Sequence, residues 1–480
     1  MSFPPRLRRD EGLTQRDDFA KAESPQTERK NMKTRILKIL AATKLLPLLL
    51  LLALPAEVQA QLSFITNGDA ITITGYSSAT YFDTVTIPAT TNGYPVTSIG
   101  GGGYGQGAFE NNYHVASVTI GINVTNIGGY AFQNCALLTN VTFGANVTSI
   151  GFAAFDNCDD LTSVSLPASV TNLLEDDADG PFFDCETLTN ITVDASNPAY
   201  SSLNGVLFDK AKATLLLYPC DLGGSYSIPD SVTSIGESAF HHCLSLTSVT
   251  IPASVTSIRI DGDFGSDAFD GCYSLTNITV DASNPDYSSL GGALFDKAKV
   301  TLLDFPGGLV GIQTVPAGVT SIGAKAFEDC RSLTSVTIPA SVTSIGDYAF
   351  DSCYSLTEVY FQGNSPTPTN DTSVFSDDSL GVVYYLPGTT GWGAMFDGLP
   401  TALWLPQVQT GNGSFGVKSN QFGFNINWAG NMVVVVEAAT NLANPVWIPV
   451  STNILTGGTN YFSDPQWTNY PGRFYRLESP

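Results

Sequence analysis

The sequence predicts a mainly β protein: a solenoid of stacked short parallel strands, followed by a small C-terminal antiparallel β-domain. A 23-residue phrase recurs along most of the chain, and one copy reads CRSLTSVTIPASVTSIGDYAFDSC from Cys330 to Cys353. The register of this phrase is lost from about Leu403, and all five Trp residues lie at or beyond Trp392. A period of about 20 to 29 residues is typical of solenoids, in which each unit buries its apolar residues only by stacking on its neighbours.

Each unit begins with a predicted strand. In the phrase LTSVTIP, apolar and polar residues alternate as a half-buried strand requires, and Pro339 then ends the strand. We expect Val336 and Ile338 to face the core, and Ser335 and Thr337 to face solvent.

The second half of the unit, SVTSIGDYAF, places Val342, Ile345 and Phe350 toward the core around a Gly at the turn. It is too short and too rich in Thr for a good helix, so we expect irregular, strand-like or short helical backbone. Phe109 is an aromatic anchor followed three residues later by Asn112. In the seven other anchors the residue three positions after Phe is Cys: Phe132 with Cys135, Phe155 with Cys158, Phe182 with Cys185, Phe240 with Cys243, Phe269 with Cys272, Phe327 with Cys330, and Phe350 with Cys353.

A larger block is also repeated. The segment DASNPAYSSLNGVLFDKAKATLLLYP from Asp194 returns as DASNPDYSSLGGALFDKAKVTLLDFP from Asp281. The flanking anchors Phe182 and Phe240 return with the same shift of 87 residues. This equality indicates duplication of a block that contains several coils.

The repeat phrase resembles that of BspA-like bacterial surface proteins, a 23-residue class of leucine-rich repeat, over roughly residues 71–361. The segments GVLFDKAKATLLLYP and VVYYLPGTTGWGAMFDGLPTALW also look like segments common in that family. The resemblance implies a leucine-rich-repeat solenoid and a secreted or surface-displayed binding protein, with some members acting as adhesins. It implies no catalytic residues, and no ligand carries over because ligands differ between members.

The N-terminal sixty residues are predicted to lie outside the mature protein. Residues 1–31 are charged and contain Pro, which indicates either a start codon assigned upstream of Met32 or a disordered extension. Residues 32–60 have basic residues, an apolar run and a small-residue cleavage site, as in a signal peptide. A membrane anchor is the competing interpretation, but the apolar core from Leu45 to Leu54 is shorter than the ~20 residues of a spanning helix.

The mature chain is divided into three predicted parts. Residues 61–361 form the solenoid, 362–402 its C-terminal cap and a linker, and 403–480 a small β-domain for anchoring, sorting or capping. Apolar runs separated by Asn, Gly and Pro predict the strands of this last domain. The runs are Phe422–Trp428, Met432–Glu437, Trp447–Val450 and Phe474–Leu477.

The charge of the chain excludes some partners. The whole sequence has 21 Lys and Arg against 44 Asp and Glu, and from Gln61 onward the numbers are 10 against 37, a formal charge of −27. Nucleic acid and anionic membranes would be repelled by this charge. We also expect no transmembrane segment in the mature chain.

The cysteines have two open interpretations. Neighbouring coils lie about 4.8 Å apart, so thiols such as Cys330 and Cys353 could form disulfides after export. Cys is also a small hydrophobe that fills a buried slot well, and the sequence favours buried free thiols. There is no Cys-x-x-Cys pair to suggest a metal site. Cys220, which lies outside the common register, is the expected exception.

The histidines and acidic insertions give no strong signal for a metal. His114, His241 and His242 lie at loop positions that other copies fill with Asp, Asn, Gln or Tyr, so we expect solvated residues without a catalytic or metal-binding role. Two acidic insertions, near Asp177 and Asp261, could hold Ca²⁺, but neither matches a complete calcium loop with its distal Glu. The sequence predicts no metal and no cofactor.

The outward strand positions suggest a function. If the strands stack in register, these positions form a long face of hydrogen-bonding side chains, suited to an extended polysaccharide or a protein surface. We expect a non-catalytic adhesion or binding protein. The face consists of Ser117, Thr119, Asn140, Thr142, Ser163, Ser165, Asn190, Thr192, Ser248, Thr250, Asn277, Thr279, Ser335, Thr337, Glu358 and Tyr360.

Three alternatives remain. Ligand contacts could come from the irregular long units or from the C-terminal domain. The protein could instead be a structural envelope protein that associates with itself. A glycan-active enzyme is a weaker hypothesis, because it needs carboxylates that converge on the face, and the face offers only Glu358.

Overall fold

The described part of the chain is almost entirely β-structure, as predicted. The computed structural model describes residues 61–77, 81–101, 105–173, 180–259, 268–368, 373–376, 381–411 and 413–479. The predicted extension, the predicted signal peptide and the acidic insertions near Asp177 and Asp261 lie outside these ranges. Within them, no helix has the length and apolar character needed to cross a membrane.

The solenoid begins with an antiparallel hairpin. Its second strand continues in parallel with the strand Tyr94–Ile99, so the hairpin joins the stack and closes its N-terminal end. Ile71 and Ile73 of the hairpin are completely buried. The first ten strands are β1 Leu62–Asn67, β2 Ala70–Tyr76, β3 Asp83–Thr86, β4 Thr90–Thr91, β5 Tyr94–Ile99, β6 Val115–Thr119, β7 Asn126–Ile127, β8 Asn140–Thr142, β9 Ser149–Ile150 and β10 Ser163–Leu166.

Most coils contribute one longer strand and one strand of two residues. Most of these strands pair in parallel with the same strand of the next coil, so the solenoid has two rows of strands, each interrupted along its length. The next strands are β11 Asn190–Val193, β12 Tyr200–Leu203, β13 Val206–Asp209, β14 Thr214–Leu217, β15 Gly224–Ser227, β16 Ser234–Ile235, β17 Leu246–Ile251, β18 Ser257–Ile258, β19 Asn277–Val280, β20 Tyr287–Leu290, β21 Ala293–Asp296, β22 Thr301–Asp304, β23 Gly311–Thr314, β24 Ser321–Ile322, β25 Leu333–Ile338, β26 Ser344–Ile345 and β27 Glu358–Phe361.

The repeat phrase folds as its pattern predicts. In β25, Val336 and Ile338 are completely buried, and the strand ends before Pro339. The second half of the phrase forms the two-residue strand β26 and a series of turns, without helix. Val342, Ile345 and Phe350 all point into the core. Alternation in the first half and the Phe anchor in the second half therefore fix which side chains are buried.

The aromatic anchors form three runs of stacked rings in the core. Ring centroids in neighbouring coils lie 4.6–5.5 Å apart, a geometry that adds about 0.5–1.5 kcal/mol per pair beyond burial. All eight predicted anchors belong to these runs, which also contain three rings that the Phe-Cys pattern missed: Tyr218, Phe305 and Phe375. The runs are Phe109–Phe132–Phe155–Phe182, Tyr218–Phe240–Phe269 and Phe305–Phe327–Phe350–Phe375.

The cysteines are free and buried, which confirms the favoured interpretation. In all seven register positions the Sγ donates to the carbonyl oxygen of the aromatic anchor in the preceding coil, at 2.9–3.6 Å. Burial raises the pKa of the Cys135 thiol to about 12, so it stays protonated and remains a donor. The expectation that Cys220 differs is wrong, because it too is buried and free.

The duplicated block is visible in the fold. We name residues 182–268 the first copy and residues 269–355 the second copy. Every strand from β11 to β18 has a counterpart 87 residues later. Both copies contain an antiparallel hairpin, β12–β13 and β20–β21, that is absent from the shorter 23-residue coils on either side.

The chain ends in antiparallel sheets, as predicted. One consists of β32 Gln407–Gln409, β33 Gly416–Lys418, β34 Gln421–Asn427 and β37 Thr459–Asp464, and the other of β35 Val433–Ala439, β36 Ile448–Ile454 and β38 Phe474–Glu478. Their core contains Phe424, Ile426, Val434 and Val436. Each of the four predicted runs overlaps a strand, and β32, β33 and β37 were not predicted. The remaining elements are β28 Thr367–Pro368, β29 Val382–Tyr385, β30 Met395–Phe396 and β31 Leu399–Leu403, with 3₁₀ turns at Thr456–Gly458 and Trp467–Asn469.

Candidate functional site

The predicted strand face is formed by residues that pair in register. Ser117 lies opposite Asn140, and Thr119 opposite Thr142. The other predicted positions pair in the same way. These pairs are Ser163 with Asn190, Ser165 with Thr192, Ser248 with Asn277, Thr250 with Thr279, Ser335 with Glu358, and Thr337 with Tyr360.

Ser335 does not face solvent, contrary to the prediction. It is 4% exposed, whereas the other fifteen positions of the strand face are partly or fully exposed. Its column neighbours are Ile312 and Glu358, whose side chains are longer than that of Ser335. A short side chain between two longer ones is covered, so the face is less even than the repeat phrase suggests.

Neighbouring groups on the strand face hydrogen-bond to one another. The Asn140 Nδ2 donates to Ser117 Oγ at 3.3 Å, and Ser248 Oγ donates to Ser225 Oγ at 2.8 Å. Within one strand, the Asn277 Nδ2 donates to Thr279 Oγ1 at 2.9 Å. These bonds hold the side chains in defined orientations while their remaining donors and acceptors face outward.

The strand face is divided, which corrects the expectation of one continuous sheet. The longer strands form four sheets: β3-β6-β8, β10-β11, β15-β17-β19 and the sheet from β23 to β31. The hairpins of the two copies cause two of the three divisions, after β11 and after β19. The N–H of Ile191 donates to the Gly205 carbonyl, and that of Ile278 to the Gly292 carbonyl, so a hairpin turn lies where the next strand would pair. The hairpin turns are therefore part of the surface that a ligand would meet.

The C-terminal end of the strand face is aromatic. The rings of Tyr360 and Tyr384 stack with centroids 5.0 Å apart, and Trp404 lies 4.6 Å from Tyr360. All three are partly exposed. Sequence reasoning identified only Tyr360; the other two follow the end of the 23-residue register, where the spacing no longer predicts the column.

A second concave surface lies in the C-terminal domain. A cavity of about 370 Å³ is lined mainly by aromatic side chains, including Phe415, Phe422 and Phe474, with Arg473 and Arg476 at its edge. Phe415 and Phe474 are 47% and 40% exposed. Apolar lining with a few charged groups is typical of ligand pockets, so this surface is the alternative site.

His241 is not a solvated loop residue, contrary to the prediction, whereas His242 is partly exposed. The side chain of His241 is 8% exposed and that of His242 is 30% exposed. Both approach the Asp184 carboxylate, and the Nδ1 of His241 lies 3.4 Å from Asp270 Oδ2. Burial opposes a charge on His241, but the carboxylates of Asp184 and Asp270 outweigh it and raise the pKa of the imidazole to about 10.

The repeats place the chain in a known family. Residues 103–212, 216–314 and 313–389 match the BspA type leucine-rich repeat region, in six copies. These segments cover more than half of the chain, which therefore belongs to this family. Proteins of this class are typically secreted or displayed at the cell surface, are generally non-catalytic, and the family suggests a role in protein binding or adhesion.

Several solved structures resemble the chain. A leucine-rich cell surface protein from Faecalibacterium prausnitzii is 27% identical, with 69% of this chain and 88% of that chain covered and a TM-score of 0.40. The pneumococcal vaccine antigen PcpA is 17% identical, with 68% and 92% covered and a TM-score of 0.41. A leucine-rich-repeat protein from Eubacterium ventriosum is 23% identical, with 62% and 88% covered and a TM-score of 0.39. No curated protein matches the chain.

Proposed function

We propose that this protein is exported to the cell surface or secreted, and that it binds a protein or polysaccharide through its strand face without catalysing a reaction. The observation that carries the proposal is the register of the face. Exposed hydroxyl and amide groups repeat at the spacing of the strands, about 4.8 Å, which suits a ligand with its own repeating polar groups.

The aromatic end of the face supports the same role. Tyr360, Tyr384 and Trp404 offer large, partly exposed rings beside the polar columns. Tyr and Trp are enriched among the residues that contribute most binding energy at protein interfaces. The polar columns would then set the orientation of the ligand, and the aromatic end would supply much of the binding affinity.

The arrangement gives no support to a glycosidase. Such an enzyme needs two carboxylates at about 5–5.5 Å or about 6.5–9.5 Å across a sugar ring. Glu358 is the only carboxylate among the predicted face positions, and its paired neighbours are Ser335 and Val382. We therefore propose binding alone.

The test is a set of charge-bearing substitutions, one in each of three sheets. Thr142, Ser165 and Thr250 are exposed on the strand face, and all three are changed to Arg in one variant. Binding is first found by screening immobilised matrix proteins, glycans and whole cells with the native protein. The triple variant should then lose at least about tenfold in affinity for the surface identified.

Thr148→Arg, Thr233→Arg and Thr320→Arg together form the matched control. These residues are equally exposed but precede the two-residue strands, away from the strand face. If the face variant binds as tightly as native protein while Phe474→Ser binds weakly, the C-terminal cavity is the site and the proposal is wrong. Sedimentation at increasing concentration separates a monomeric binder from a self-associating envelope protein.

A further inference from the structure

The turn that follows each aromatic anchor has a special backbone position two residues later. Asn111, Asn134 and Asn157 occupy this position with φ of 54° to 59°, the left-handed region that favours Asn, Asp and Gly. In the first copy the same position holds Asp184 with φ 51° and His242 with φ 49°. In coils that share this left-handed backbone, side chains at this position can meet, as the bond from Asn134 Nδ2 to Asn111 Oδ1 at 2.8 Å shows.

Asp184 and His242 meet because the coil between them is short at this turn. That coil carries the anchor Tyr218, followed by Pro219 and Cys220, and Cys220 is buried with its Sγ hydrogen-bonded to the His241 carbonyl. Asp184 Oδ1 lies 2.6 Å from His242 Nδ1 and 3.3 Å from His241 Nε2. All three donor atoms lie within 4.8 Å of one another.

The rings that carry the two nitrogens are held firmly. His241 stacks on Phe183 and on His242, each with a centroid distance of 4.1 Å. His242 also covers Gly271, where a Cβ atom would lie 1.9 Å from the imidazole Cδ2. Gly271 therefore makes room for the ring, and any larger residue there would displace it.

The Asp184 carboxylate is in close contact with both imidazoles. Asp184 Oδ1 is buried, and two ring nitrogens lie within 3.3 Å of it. Ligands of a tetrahedral zinc ion, at about 2.0–2.1 Å from the metal, lie about 3.3–3.4 Å from one another. The contact from Asp184 Oδ1 to His241 Nε2 already has this separation, and the contact to His242 Nδ1 needs to lengthen by about 0.7 Å.

We propose that Asp184, His241 and His242 form a binding site for one divalent transition-metal ion, best matched by Zn²⁺, that links two coils of the solenoid. Two imidazoles and a carboxylate are a donor set that suits zinc, with water in the fourth position. Asp184 and His242 keep partial exposure, which provides an entry path.

Asp270 completes the site as a positioning residue. Its Oδ2 lies 3.4 Å from the Nδ1 of His241, the nitrogen that faces away from Asp184. A histidine that binds metal usually donates its other N–H to a carboxylate, which fixes the tautomer and the ring orientation. Without metal, the same carboxylates would hold His241 as a buried imidazolium, so proton and metal compete for one nitrogen.

The test is a calorimetric titration with Zn²⁺ of full-length protein that carries no histidine tag and has been treated with EDTA. We expect one zinc per chain with a micromolar or lower dissociation constant. His242→Gln and Asp184→Asn should each weaken binding by at least about tenfold, and Asp270→Asn by about 10–100-fold with unchanged stoichiometry. Because His242 is partly exposed, its variant should keep the native far-UV spectrum.

The chain supplies two matched controls. His114, the third histidine, stacks on Tyr81 far along the sequence from the cluster, and His114→Gln should bind zinc like native protein. Replacing both histidines, as His241→Gln together with His242→Gln, should abolish binding. Co²⁺ in place of Zn²⁺ should show the visible absorption of a tetrahedral site. No saturable zinc binding, or binding that survives the double replacement, would overturn the proposal. His241 would then be only an imidazolium that pairs with Asp184 and Asp270.

Discussion

The two copies of the duplicated block have the same strands but different chemistry beside the coil that contains the hairpin. In the first copy, Asp184 reaches across this coil to His241 and His242. In the second copy the corresponding residues are Gly271, Glu328 and Asp329. None of these three residues carries an imidazole, and a cavity of about 20 Å³ lies beside them.

Carboxylates dominate the lining of this second cavity. Asp270, Asp304 and Glu328 line it, and Asp270 Oδ1 and Asp304 Oδ2 are buried without a hydrogen-bond partner. Lys325 also lines it and lies 3.4 Å from Glu328. The volume is enough for about one water molecule. The comparison shows that the strands and anchors are fixed by stacking, whereas the one or two residues after each anchor can change the chemistry without changing the fold.

The largest expected effect tests the shared part of the two copies. Phe240→Ala and Phe327→Ala each remove a fully buried ring that stacks on rings of both neighbouring coils. Each should lower the free energy of unfolding by about 3–5 kcal/mol, because a large cavity is left in a close-packed core. Native-state hydrogen exchange, read by mass spectrometry, would measure the loss in each copy separately. If the two losses of unfolding free energy differ by more than about half of the larger one, the copies are not equivalent scaffolds.

A smaller effect tests how the hairpins are attached. The buried Asn197 donates to the carbonyls of Pro167 and Val170 and accepts from two backbone N–H groups. Asn284 makes the same four bonds in the second copy. Ala at either position should cost about 2–4 kcal/mol, because buried backbone groups lose their partners. Chemical denaturation of each variant would measure the loss of unfolding free energy. The exposed Asn146→Ala serves as the control. A loss below about 1 kcal/mol would mean that water replaces the amide.

Much of this fold could be predicted from sequence, and the reason is periodicity. Residues such as Val336, Ile345 and Phe350 recur at fixed spacing, and stacking gives each the same environment in every coil. Tyr218 and Phe305 were missed because no Cys follows them at the usual distance, although their shift of 87 residues and the Pro after each could have identified them. Periodicity therefore predicted those core residues whose neighbours are the same in every coil.

The candidate sites depend on departures from the repeat, and these are harder to predict. Ser335 is buried because of the particular residues beside it, Ile312 and Glu358, and not because of its own place in the phrase. His241 is buried because Asp184 and Phe183 contact it across the turn that follows Tyr218. Neither fact follows from spacing along the chain, since both depend on which coil lies next in space.

The smallest effect concerns only the second copy and depends on pH. Burial, and to a lesser degree the charge of Asp270, raise the pKa of Asp304 from 3.8 to about 7. Since the folded state holds this proton more tightly than the unfolded chain, the stability that the neutral carboxyl contributes is complete below about pH 4. It is lost as the pH rises to about 7.

Asp304→Asn keeps a neutral side chain of the same shape at every pH. Relative to native protein, the variant should therefore gain about 2 kcal/mol of stability between about pH 5 and about pH 8. Chemical denaturation at both pH values would measure the gain, and the exposed Asp286→Asn should show none. The first copy has Leu217 at this position, so its local opening should not change with the substitution. An equal change in both copies would mean that the carboxylate acts through the charge of the whole solenoid and not through its own cavity.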